Sequence, residues 1–174
     1  MQIVDLIHSH LNRLHRALED SIVNLSTDEL HWRPSNGCNH IAFSIWHIVR
    51  TEDNLVRFVL QERRPTVWIE GGWDGLFNLD RISQGTGLSE EEAVSIQLPS
   101  AKAFLPYMRD VWASTDDYLH SIDDSALDGT FNIRPLGEKT VNDIFFEMLI
   151  THGFSHLGEI WVLKGLQGFK GSPI

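Results

Sequence analysis

Apolar residues at Ile3, Ile7, Leu11, Leu14, Leu18, Ile22 and Leu25 recur at three- and four-residue steps. That repeat is one face of an amphipathic helix. Ser26, followed three residues later by Glu29, is a capping-box pattern that starts a short turn, and Pro34, Ser35, Asn36 and Gly37 break it. A second helix is predicted from about His40 to Leu60. Its buried side is Ile41, Ile45, Ile48, Leu55 and Val59, and Arg63-Arg64-Pro65 ends it. Residues 66–88 are rich in glycine and aromatic side chains and predict a long ordered connection with room for a helical turn. Connections of that length in compact domains are often functional or cover a site.

Ser89 with Glu92 repeats the capping-box pattern. A third helical stretch follows, with Phe104, Met108, Val111, Thr115, Tyr118 and Ile122 on its inner face, and Pro99 and Pro106 are expected to kink or restart it. Residues 123–139 form a second connection, broken by Gly129, Pro135 and Gly137. Thr140 caps a fourth helix with Asp143 at its third position. Phe145, Leu149, His152, His156, Ile160 and Leu163 make its stripe, and Gly165 and Gly168 stop it. Four long amphipathic helices and few strand-like alternations predict an all-α fold. The expected architecture is a four-helix bundle with long crossover connections, one domain over residues 1–174.

Length and charge narrow the function classes. A chain of 174 residues suits one hydrophobic core. A net charge of −10 repels phosphates and anionic lipid, so nucleic-acid and membrane-surface roles are disfavoured. No apolar run approaches the ~20 residues needed to span a bilayer. The first sixteen residues carry Asp5, Arg13, Arg16 and three histidines, unlike a signal or transit peptide, so a cytoplasmic location is expected. Cys38 is the only cysteine, which excludes an internal disulfide and a Cys-x-x-Cys motif.

Nine histidines direct attention to metal binding. His152 and His156 are four apart on the last helix, so both project from one face, one turn apart, and two imidazoles so placed can converge on one ion. Roughly 0.5 such pairs are expected by chance at this composition, so spacing alone is weak. Their place on the apolar stripe adds weight, because a buried imidazole left without partners is costly. His47, in the middle of the second helix between Trp46 and Ile48, is the best third ligand. The plainer alternative is three core histidines bonded to hydroxyls or backbone.

The segment from Leu30 to Asp53, with its Trp32-Arg33-Pro34 turn, Ile41-Ala42, Trp46-His47-Ile48 and Glu52-Asp53, resembles the DinB-like superfamily, which includes YfiT-type metal-dependent hydrolases. The ending from Thr151, with His152-x-x-x-His156-x-Gly158-Glu159, resembles that family's final helix. The resemblance implies a four-helix bundle with long crossovers, usually a homodimer. It also implies a divalent metal, zinc or nickel foremost, held by His47, His152 and His156. Three histidines as such suit zinc, nickel, copper or iron alike. Some members resemble thiol transferases and others maleylpyruvate isomerases.

Glu159 follows His156 by three positions and is the candidate catalytic residue. It would orient a ligand histidine or act as a base toward metal-bound water, or else be a solvated charge. Glu52 and Asp53 are read as surface partners of Arg50 or Arg57. His8, His15, His40 and His120 are read as surface or satisfied core groups. Trp68, Trp73 and Phe77 either line a pocket over the metal or pack as a lid, and Tyr107 and Arg109 are further substrate-facing candidates. The expected function is a metal-dependent enzyme, a hydrolase or a thiol S-transferase acting on a small molecule at the open metal position. The alternative is a non-catalytic, metal-stabilised dimeric bundle or ligand-binding module.

Overall fold

The computed structural model describes residues 2–171. Helix α1 spans Ile3–Ile22 and buries Ile7, Leu11, Leu14, Leu18 and Ile22 along its predicted stripe. The Asp124 carboxylate, far along the chain, accepts from the backbone N–H groups of Ile3 and Val4 at 3.0 and 2.9 Å and so satisfies two orphan donors of its first turn. Helix α2 is the short Thr27–His31, capped by Ser26 and Glu29 as expected.

Helix α3 (Ile41–Asp53) continues through a π-helical segment, Asn54–Val59. Every residue from Ile41 to Asp53 is buried, because α2 and the later helices Ala101–His120 and His152–Leu166 all pack on it. This corrects the reading of Glu52 and Asp53 as surface charges. Glu52 accepts from His15 at 3.0 Å and from the Thr115 hydroxyl at 2.7 Å, linking α1 and α3 to the helix that carries Thr115. Asp53 accepts from the backbone N–H groups of Val67 and Trp68, from the Tyr107 hydroxyl, and from Arg50 at 3.4 Å. Burial raises the Asp53 carboxyl above its ordinary range, and those donors oppose the rise. Central position outweighs polarity here: the charges are tolerated because each has partners.

The first crossover holds two short helices, α4 (Val67–Glu70) and α5 (Trp73–Phe77), and then an extended stretch that leads to α6 (Glu90–Val94). Helix α7 (Ala101–His120) starts just after Pro99 and continues through Pro106, so no restart occurs at Pro106. The second crossover departs from expectation. After a 3₁₀ turn at Asp124–Asp128, strands β1 (Thr130–Ile133) and β2 (Gly137–Thr140) pair antiparallel, Thr130 opposite Thr140. Four-residue strands are too short to carry a readable alternation.

The last helix starts at α8 (Val141–Asp143), capped by Thr140, passes through a π-helical segment at Ile144–Thr151 and becomes α9 (His152–Leu166). Gly165 lies inside α9, and Gly168, at φ +87°, follows its end. The long helices α1, α3, α7 and α9 make an all-α bundle with long crossovers, and their buried side chains form one connected core. No described helix is long and apolar enough to cross a membrane.

Candidate metal centre

His47, His152 and His156 meet where α3 faces the start of α9, each offering one nitrogen to a common point. His152 Nε2 lies 3.1 Å from His47 Nε2 and 3.0 Å from His156 Nε2. The three rings stand nearly perpendicular to one another, at 86–87°. The pairing across 105 residues of chain brings together the three side chains singled out from spacing and resemblance.

Their setting differs from the expected one. His47 is 8% exposed, but His152 and His156 are only partly buried. Gly153 and Leu157, not the histidines, occupy the core positions of α9. The predicted stripe holds at Phe145, Leu149, Ile160 and Leu163, and between them, just past the π-helical segment with its wider turn, the core positions fall one residue after each histidine. The histidines flank the core and open onto a cleft of about 480 Å³, walled by Asn39, Phe43, Gly85, Thr86 and Glu90.

Each outer ring is held at its far nitrogen. His47 Nδ1 lies 2.5 Å from the Gln84 carbonyl oxygen, which only accepts, so Nδ1 carries the hydrogen. His156 Nδ1 lies 2.6 Å from a Glu159 carboxylate oxygen and donates to it likewise. Burial lowers the pKa of His47, against the Gln84 bond that raises it, and repulsion between protonated His47 and His156 rings adds to the drop. His152 is pushed down to about 4, by burial first and then by its two neighbours. The hydrogen bond to His156 holds Glu159 below the usual carboxylate range. Glu159 is therefore an exposed carboxylate with a specific partner, not simply a solvated charge.

This arrangement fits a cation. With hydrogens on Nδ1, the neutral rings of His47 and His156 both aim an Nε2 lone pair at His152 Nε2. A neutral His152 has at most one hydrogen there, and one hydrogen serves one of the two lone pairs. An ion at the common point would satisfy all three at once. The donor set, three neutral imidazoles with two of them oriented by a carbonyl and a carboxylate, is the kind that divalent transition metals take.

The remaining candidates have other roles. His15 pairs with Glu52 and stacks on Trp112. His40 caps α3, and His120 bonds the Asp116 carbonyl at the surface. Trp68, Trp73 and Phe77 pack on one another and on Tyr107, away from the cleft. Tyr107 is buried against Asp53, and Arg109 pairs with Glu19 outside the bundle. Gln84 and Gly85 were missed from sequence. Gln84 contributes a backbone carbonyl, which any residue has, and only the fold tells where it goes.

The sequence model of the DinB superfamily matches residues 10–160, which include all three histidines. The chain belongs to the DinB superfamily. Two solved structures share this DinB fold. One is a conserved protein from Enterococcus faecalis, 20% identical, with a TM-score of 0.80 over 95% of this chain and 97% of that one. The other is a DinB-like protein from Bacillus cereus, 19% identical, with a TM-score of 0.60 over 92% and 90% of the two chains. No curated protein matches the chain.

Proposed function

We propose that this DinB-superfamily protein is a metal-dependent enzyme of the hydrolase or thiol S-transferase type. In this reading His47, His152 and His156 hold one divalent ion, zinc or nickel foremost, and a coordination position faces the cleft. The observation that carries it is the pair of Nε2 lone pairs fixed toward one point by Gln84 and Glu159. A bound divalent ion would lower the pKa of a water or a substrate thiol at that position toward neutrality. The chain's own residues do the rest. Glu159 keeps the His156 hydrogen on Nδ1, and the half-exposed carboxylate is available to take a proton from a group bound beside His156. Phe43, stacked parallel to the His47 ring, gives the cleft an apolar wall for the body of a small molecule.

The test is metal content followed by turnover. Protein refolded or dialysed with zinc or nickel should retain about one ion per chain. His152→Ala should lose it and the surface variant His120→Ala should keep it; equal content in the two variants would sink the triad. Metal-stimulated turnover on a panel of thiol-conjugation and hydrolysis substrates then tests the reaction.

A second reading, a metal-stabilised module without catalysis, draws on the same geometry, since the triad joins α3 to α9. It expects a lower melting temperature in chelator and no reaction on any substrate. Either reading includes a homodimer. The exposed apolar Val162 and Leu166 on α9 offer surface for one, and sedimentation velocity should give twice the chain mass of 19.9 kDa.

A further inference from the structure

The segment from Asp80 to Gly85 has no regular secondary structure, yet its backbone is held from both sides. Asp80 Oδ1 accepts from the N–H groups of Ile82 and Ser83 at 2.7 and 2.5 Å. Those two bonds also hold the exposed Asp80 carboxyl below the usual range. From the other side, Arg50 donates to the carbonyls of the same two residues, each at 3.3 Å. Arg50 is 1% exposed, its guanidinium lying 5.0 Å from the centre of the Trp68 ring and bonded to Asp53. Trp68 closes the circuit by donating its indole N–H to the Asp80 carbonyl at 3.1 Å. The next residue along the pinned segment is Gln84, whose carbonyl meets His47 Nδ1.

A neutral imidazole carries its hydrogen on either nitrogen, and the partner of one nitrogen decides which is left free. We propose that Arg50 and Asp80 are positioning residues for His47: by fixing Ile82 and Ser83 they place the Gln84 carbonyl so that His47 presents its Nε2 lone pair to the cleft. Two features select these residue types. Arg50 reaches two successive carbonyls with one planar fork, which a lysine ammonium does not reproduce. Asp80 uses a single oxygen for both N–H groups, which an asparagine carbonyl also supplies. This inference rests on His47 as a metal ligand for its purpose, but not for its measurement.

The experiment is a two-bond proton–nitrogen correlation on metal-free protein labelled with nitrogen-15 histidine, with a zinc titration alongside. Wild type and Asp80→Asn should show His47 in one tautomer, with hydrogen on Nδ1. Asp80→Ala and Arg50→Lys should show mixed tautomers and bind zinc about 10- to 100-fold more weakly. Asp80 is exposed, so Asp80→Ala leaves the core intact and decides the matter if Arg50→Lys does not fold. A single Nδ1–H tautomer in folded Asp80→Ala overturns the inference, whatever the zinc titration reads. Mixed tautomers in Asp80→Asn overturn it as well, since they would assign the effect to charge. Failure of wild type to bind zinc, with the tautomer still lost in Asp80→Ala, removes the metal reading and leaves the positioning role standing.

Discussion

At the scale of single residues, His47 is fixed by what Gly85 lacks as much as by what Gln84 offers. Gly85 sits at φ +96°, and a Cβ there would lie 2.9 Å from His47 Nδ1 and 3.1 and 3.2 Å from the rings of Trp46 and Phe43. A side chain at this position therefore meets a strained backbone and a filled space together. Gly85→Ala is expected to push the His47 ring and weaken zinc binding by about tenfold or more, as read by competition against a chromogenic chelator. Unchanged affinity would mean the loop yields freely. The three histidines and Glu159 were legible from the helical spacing of His152, His156 and Glu159 together with the family resemblance around Trp46-His47. Gly85 was not: it is one of thirteen glycines, and only the approach of His47 marks it out.

At the scale of elements, the N-terminus of α3 holds a pH-sensitive cap. His40, 1% exposed, accepts from the Phe43 N–H through Nδ1 at 2.9 Å and donates from Nε2 to the Val94 carbonyl at 3.3 Å. The bond from Phe43 needs the neutral ring, because a protonated ring has no lone pair left at Nδ1, whereas the bond to Val94 survives protonation. Burial lowers its pKa below 6.5, with His31 and Arg33 adding to the drop and the Val94 carbonyl opposing it. The folded value lies below the unfolded one, so the stabilisation is fully present above pH 6.5 and is lost as pH falls through the lowered folded value. The melting temperature should fall between about pH 7.5 and pH 5, and fall less in His40→Asn, where a neutral amide caps the helix at every pH. Equal slopes in the two proteins would assign the pH dependence elsewhere. The capping boxes at Ser26 and Ser89 and the cap at Thr140 were read correctly because their chemistry is local. The depth of His152 and His156 was not, because the π-helical segment just before them is set by packing and leaves no mark in the residue pattern. The burial of Arg50, Glu52 and Asp53 escaped for a related reason: their partners lie on other elements, so no local pattern announces them.

At the scale of the whole molecule, the bundle was legible since α1, α7 and the last helix each show one apolar face over four or more turns. The crossovers were legible only as connections. Their work, with α6 and the Gly85–Glu90 stretch walling the cleft and Asp124 capping α1, follows from contacts between distant parts of the chain. The open flank on which His152 and His156 sit also governs how quickly a bound ion could be taken away. A site sealed in the core would release its ion at a rate set by the protein's own opening, the same at every chelator concentration. Here a small chelator can enter the cleft and attack before the ligands let go. Stopped-flow removal of zinc should therefore accelerate in proportion to chelator concentration, and a flat rate would mean that the cleft closes over the ion once it is bound.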